Sequence, residues 1–338
     1  MRREIEVADS SKRKKAEGSQ GAPGLEEVFG KRGEPFITPP SKPPEKPREP
    51  VLPPPTPANP PGGGKGLDDV LVELDGMIGL EGVKAQVRKT INMVGLGRER
   101  EKAGLRPFVF THHLVFTGNP GTGKTTVARI LGRIYKEIGL LKKGHMVETD
   151  RNGLVEGYVG QSALKTKQVI DEAMDGVLFI DEAYSLVPAD IARDFGVTEV
   201  IPTLIKAMED YRDRLVVIVA GYTDKMDHFI KANPGTESQF KNKIEFKDYD
   251  PAALFKIFLH MGSEAGIRPS LDAQTAIAKL MESLETGKKG FGNGRTVRNI
   301  FDECLGRQAA RLAARTKKVD LTIFEKDDIP KVGEMVFF

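Results

Sequence analysis

Gly118-Asn-Pro-Gly-Thr-Gly-Lys-Thr125 follows the apolar run His113-Leu-Val-Phe-Thr117 and leads into an amphipathic stretch that reaches about Ile138. The order reads strand, glycine-rich loop, helix. The spacing of Gly118, Gly123, Lys124 and Thr125 is that of a phosphate-binding P-loop. Glycines let backbone N–H groups approach phosphate oxygens closely, and a helix starting near Thr125 aims its positive end at the same oxygens. Lys124 then reaches the β- and γ-phosphates, and the Thr125 hydroxyl ligates Mg²⁺. The expected ligands are ATP and Mg²⁺. The expected nucleotide contacts run through Gly118, Asn119, Pro120, Gly121, Thr122, Gly123, Lys124, Thr125 and Thr126.

Further along, Val177-Leu-Phe-Ile-Asp181-Glu182 reads as an apolar strand ending in two acids. Asp181 is placed to hold Mg²⁺ through water, and Glu182 to polarise the attacking water. An acid directly after the Mg²⁺ aspartate favours hydrolysis with an in-built base. It argues against a small-molecule kinase, whose nucleophile comes from the substrate.

The text around these two motifs alternates between strand and helix. Strands are predicted at His113–Thr117, His145–Thr149, Gly176–Ile180, Leu215–Ala220 and Lys243–Phe246. Helices are predicted at about Thr125–Ile138, Ser162–Met174 and Thr198–Tyr211. Before them, Val83, Val87, Ile91 and Val94 recur at helical spacing. Alternation of this kind implies an α/β fold, here an αβα sandwich around a five-stranded parallel sheet. From Pro251 the strand signals stop. Helices at about 251–265, 271–285 and 295–315 predict a C-terminal α-helical lid.

The domain reading is therefore an arm at 1–66, a core at 67–250, a lid at 251–330 and a tail at 331–338. The arm holds fourteen of the twenty-two prolines, with Pro53-Pro54-Pro55 and Gly62-Gly63-Gly64. Such a segment cannot offset its ordering entropy and is expected to be disordered. Residues 1–66 carry twelve Lys/Arg and nine Asp/Glu, and the rest of the chain carries thirty-nine of each, so the net charge of +3 lies in the arm. A neutral body argues against nucleic acid as a partner. The only cysteine, Cys304, lies in an apolar helical stretch and is expected to pack in a core. No apolar run approaches the ~20 residues that span a bilayer, and the N-terminus lacks a signal core. The expectation is a cytoplasmic protein without a membrane segment.

Phe116-Thr-Gly-Asn-Pro-Gly-Thr-Gly-Lys-Thr-Thr-Val-Ala128, Gly176-Val-Leu-Phe-Ile-Asp-Glu-Ala-Tyr184 and Val219-Ala-Gly-Tyr222 resemble the AAA+ ATPases. The likeness is to the branch that holds the red-type Rubisco activases, the stage V sporulation protein K and the ATPases of type VII secretion. It covers about residues 67–330. It implies nucleotide at a subunit boundary, a hexameric ring and a protein substrate. Gly290-Phe-Gly-Asn-Gly-Arg295-Thr-Val-Arg298 resembles the start of the sensor 2 helix, which assigns Arg295 to the γ-phosphate. Asn293 reads as the N-cap of that helix. Tyr158 in Glu156-Gly-Tyr158-Val-Gly160 falls where the branch carries an aromatic pore loop that grips substrate. Sensor 1 falls on Tyr222 or Thr223, and the sequence does not choose between them.

One stretch departs from the branch. Asn233-Pro-Gly-Thr-Glu237-Ser-Gln239-Phe240 has Glu237 and Gln239 where the branch carries arginines, one of them the arginine finger. Such a finger contributes ~10³–10⁵ in rate. Three readings follow: Lys241 or Lys243 substitutes, a second protein in a mixed ring supplies the arginine, or the chain binds ATP and hydrolyses it poorly. Two functions of other classes stay beside the protein-remodelling reading, a nucleotide-gated scaffold and a DNA-directed motor.

Overall fold

The computed structural model describes residues 66–106, 111–157, 160–187, 195–313 and 320–334. Two helices open the described chain, α1 (Leu67–Gly76) and α2 (Glu81–Lys102). Then come β1 (Leu114–Thr117), α3 (Lys124–Glu137), β2 (Met146–Thr149), α4 (Arg151–Leu154), α5 (Gln161–Glu172) and β3 (Val177–Ile180). The core continues through α6 (Phe195–Asp210), β4 (Val216–Gly221), α7 (Thr223–Lys231), α8 (Pro234–Gln239) and β5 (Asn242–Glu245). The five strands form one parallel sheet in the order β2-β3-β4-β1-β5.

Both faces of the sheet are buried, which explains why its central strands read as continuous apolar runs. Leu114 and Phe116 of β1, Val177 and Phe179 of β3, and Val216 and Ile218 of β4 point to one face. There they pack with Val127, Leu131, Ile134 and Tyr135 of α3 and with Val70 and Leu74 of α1. The alternate residues Val115, Leu178, Ile180, Val217 and Val219 meet Ile170 of α5, Val200 and Leu204 of α6, and Met226 of α7 on the other face. This is the period-two alternation of a pleated strand with a helical layer on each side.

The lid begins at α9 (Pro251–Glu264), where Pro251 stands in the first turn and the Asp250 carboxylate accepts from Ala253 N at 2.7 Å. Both features favour a helix start. After β6 (Arg268–Pro269) come α10 (Leu271–Glu282) and α11 (Gly294–Ala313), and then β7 (Ile323–Phe324). Their own core includes Phe258, Ile277, Val297, Phe301 and Phe324. Cys304 is fully buried in it, and burial pushes its thiol up to about 12.

Two expectations need correction. Strand structure does not stop at Pro251: β6 and β7 pair in parallel, with Arg268 N donating to Thr322 O at 2.7 Å and Ser270 N to Phe324 O at 2.9 Å. Two-residue strands are too short to leave an alternating pattern. Nor does the Asn293 side chain serve as a cap for α11. Its Oδ1 accepts from Tyr249 N at 2.9 Å, across the boundary between core and lid.

Two buried groups give opposite stability predictions. Arg311 donates to both Asp328 oxygens at 2.7 Å, and the Asp328 side chain is 1% exposed. Asp328→Ala removes both of these bonds, leaves Arg311 with Glu325 at 3.3 Å and Ile323 O, and should cost about 3 kcal/mol in urea unfolding. The Tyr135 hydroxyl is buried and has no hydrogen-bond partner among the described residues. Tyr135→Phe should leave stability unchanged or raise it by about 1 kcal/mol in the same assay.

Candidate functional site

The P-loop spans the gap between the C-terminal end of β1 and the first turn of α3. Gly118, Gly121 and Gly123 have φ of 143°, 69° and 93°. These values suit glycine and strain other residues. At Gly121 space is also decisive: a Cβ there would lie 2.1 Å from the carbonyl oxygen of Gly292. Among the described residues, the N–H groups of Gly121, Gly123, Lys124 and Thr125 make no hydrogen bond. They are open donors at a helix N-terminus, the arrangement that accepts phosphate.

Lys124 folds over this loop. Its Nζ donates to Gly118 O at 3.0 Å and Asn119 O at 2.8 Å. Burial lowers its pKa to about 8; Asp181 opposes that shift and Arg295 adds to it. Thr122 turns inward, its hydroxyl donating to Asn119 O at 2.8 Å, so it offers only its N–H outward.

Asp181 and Glu182 follow β3, beside β4. Asp181 N donates to Thr149 O at 2.9 Å, and Asp181 Oδ1 accepts from Glu182 N at 3.0 Å. Glu182 adopts φ 48° and ψ 39°, a left-handed conformation that is uncommon for glutamate and is held by the turn after it. Local strain of this kind gathers at functional sites. Burial and a hydrogen bond to Glu182 push the Tyr184 phenol well above its ordinary range.

These residues share one cleft of about 340 Å³ with residues of the lid. Its lining includes Gly118, Pro120, Gly121, Gly123, Lys124, Thr125, Thr126, Asp181 and Glu182 from the core, with Arg295 and Arg298 from α11. Both arginines are exposed, and among the described residues neither guanidinium makes an ion pair or a hydrogen bond. Tyr222 also lines the cleft, whereas Thr223 opens α7. Asn119 and Thr122 are absent from the lining because their side chains turn away from it.

Not every expected residue can be placed. Tyr158 lies outside the described residues. Glu237 is exposed on α8, and Gln239 donates from Nε2 to Glu209 at 3.0 Å. Lys243 pairs with Asp227 at 2.8 Å. Asp248 and Tyr249, just before Pro251, belong to no sequence motif. In the fold Tyr249 donates from its hydroxyl to Thr122 O at 3.1 Å, and Asp248 accepts from Asn119 at 2.9 Å.

A P-loop at the mouth of a parallel sheet, an acidic pair beside it and a helical lid over both define a P-loop nucleoside triphosphatase. A family profile described as "ATPase family associated with various cellular activities (AAA)" matches residues 114–248, and one described as "AAA lid domain" matches residues 250–336. Protein CbbX of Cereibacter sphaeroides is 44% identical over 250 residues, 74% of this chain and 80% of that one. The chloroplastic ribulose bisphosphate carboxylase/oxygenase activase of Cyanidioschyzon merolae is 42% identical over 270 residues, covering 78% and 92%. Stage V sporulation protein K of Bacillus subtilis is 37% identical over 267 residues, covering 78% and 82%. The chain belongs to the AAA family of ATPases, in the branch of these relatives, and is an ATP hydrolase. A crystal structure of the FIGL-1 AAA domain in complex with ADP shares the fold, with a TM-score of 0.51 at 19% identity over 79% of this chain and 87% of that one.

The position of Lys124 predicts a pH dependence. Its pKa is depressed to about 8 in the free cleft. A bound anion favours the charged form, so binding above pH 8 must take up a proton. Nucleotide affinity should therefore fall as pH rises from 8 toward 9.5, by up to about tenfold per pH unit. Titration of a fluorescent ADP analogue at pH 7 to 9.5 measures this. Lys124→Arg, which stays charged, should flatten the profile.

Proposed function

We propose that this ATPase couples its nucleotide cycle to the remodelling of a protein partner, as a ring of identical subunits. The observation that best supports the reading is one cleft shared by the P-loop, the acidic pair and two unpaired lid arginines. A lid that contributes charge to the phosphate end is built to register hydrolysis. The likeness to a protein named as a Rubisco activase supports a protein as the substrate class.

In this reading the open N–H groups of Gly121, Gly123, Lys124 and Thr125 cradle the phosphates of ATP, and Lys124 spans the β- and γ-phosphates. The Thr125 hydroxyl and Asp181 would hold Mg²⁺, which would supply positive charge against the phosphates. The open donors, the short reach from β3 and the hydroxyl in the first turn of α3 suit these ligands. Glu182 orients and polarises the attacking water. Arg295 reaches the γ-phosphate from the lid, so loss of that phosphate frees the lid. Tyr158 contacts the substrate in the centre of a hexamer. The protein works in the cytoplasm. No helix among the described residues is long and apolar enough to cross a membrane.

A second reading rests on the finger segment. Glu237 carries the wrong charge for a neighbour's phosphates, Gln239 is engaged by Glu209, and Lys243 by Asp227. The homo-oligomer then turns over slowly and acts as an ATP-binding switch until a partner subunit brings an arginine.

The ATPase rate per subunit, measured against protein concentration, separates the two. A rate that rises with concentration and is lost in Lys124→Ala and Glu182→Gln supports a working homomeric ring. A rate near background, with tight ATP binding, supports the switch. In that case Glu237→Arg with Gln239→Arg should raise turnover by at least about tenfold, within the ~10³–10⁵ that a finger supplies. An unchanged rate would reject the missing finger as the cause.

A further inference from the structure

Asp248 follows β5 and stands at the boundary between core and lid. Its carboxylate collects donors from both. Oδ1 accepts from Asn293 Nδ2 at 2.7 Å and from Asn119 Nδ2 at 3.0 Å. Oδ2 accepts from Asn119 Nδ2 at 2.9 Å and from the backbone of Gly287 at 3.0 Å. Asn119 belongs to the P-loop; Asn293 and Gly287 bracket the turn that leads into α11. Every donor is neutral, and among the described residues no cation pairs with Asp248. A carboxylate accepting several N–H bonds makes strong, charge-assisted contacts.

The same turn is tied to the P-loop at further points. Asn119 donates to Lys288 O and accepts from Gly290 N, both at 3.1 Å. Gly294 N donates to Gly121 O at 3.0 Å, and the next residue is Arg295. The lid's own core lies elsewhere, around Phe258, Ile277 and Val297. The Asp248 contacts therefore add little to the packing of the lid; they tie the turn before Arg295 to the P-loop.

We propose that Asp248 is a positioning residue for ATP hydrolysis, clamping the turn at 287–294 to the P-loop so that Arg295 is held over the phosphate end of the cleft. The proposal rests on the role given above to Arg295. An acceptor is required at both oxygens, because an amide, whichever way it turned, would direct its N–H₂ at two of the three donors. Asp248→Asn changes almost no volume and tests that requirement alone.

Two readouts decide it, both on the full chain. The first is amide hydrogen exchange without nucleotide. In Asp248→Asn, exchange at Gly287, Gly290 and Gly294 should accelerate at least about tenfold while α10 and the body of α11 after its first turn keep their protection. Acceleration throughout the lid would instead mark a structural role and overturn the proposal. The second is a double-mutant cycle on kcat. Asp248→Asn should lower kcat about as much as Arg295→Ala, with KM changed less than about threefold, and the double variant should be no slower than Arg295→Ala alone. Losses that multiply, or an unchanged kcat in Asp248→Asn, would overturn it. If Arg295→Ala itself leaves kcat intact, the role of Arg295 fails and the proposal fails with it; a normal Arg295 effect with multiplying losses removes Asp248 alone. Should Asp248→Asn not fold, Asn293→Gly enters the same cycle, since glycine accepts the φ of 49° at that position.

Discussion

The main chain at Gly118 is clamped between two strand ends, and the site depends on that close approach. Its N–H donates to Gly221 O at the end of β4, at 3.1 Å. On the β5 side, a Cβ at this position would stand 2.2 Å from the carbonyl oxygen of Phe246. Only a residue without a side chain passes through this gap, and its φ of 143° suits glycine. The passage sets the direction in which the loop leaves the sheet. It thereby sets the point at which α3 starts and the direction in which its open N–H groups face.

The sheet makes that position rigid. Its central strands are buried on both faces, so their alternate residues lock into two separate apolar layers. A shift of one residue in any of these strands would move every side chain to the opposite layer. Register is thus held tightly, and with it the level at which β1, β3 and β4 end. Those ends carry Gly118, Asp181 and Tyr222 into one cleft. In parallel α/β sheets, ligands bind outside the carboxyl ends of the strands.

The lid contributes charge without contributing to this sheet. Its packing is its own, built on Phe258, Phe301 and Phe324, whose rings meet at centroid distances of 5.3 to 6.3 Å. What connects it to the core is mostly polar: Asp248, Asn119, Asn293, Tyr249 and the backbone of a glycine-rich turn. Hydrogen bonds of this kind are directional and individually modest. A boundary made of them can be rearranged by a ligand more cheaply than one made of buried aromatic rings.

The P-loop, the acidic pair after β3 and the five strands were legible in the sequence, because each depends on local spacing or on a short, largely apolar run. Arg295 was legible through its resemblance to a known helix start, and the loss of arginine at 237 and 239 through its departure from one. The pairing of β6 with β7 was not legible, since two residues carry no period. The turn of the Asn293 side chain away from its own helix was not legible either, because an asparagine before a helix reads as a cap until a competing donor, here the Tyr249 N–H, comes within reach. Asp248 is the clearest case. Its partners Asn119, Gly287 and Asn293 lie far from it along the chain. By itself the sequence determined the make-up of the P-loop, since residue type and spacing suffice to specify a loop of backbone donors with a lysine and a paired acid. Only the tertiary structure decided how the lid is held against that loop, because a hydrogen bond between distant residues exists only once folding has brought donor and acceptor to within about 3 Å.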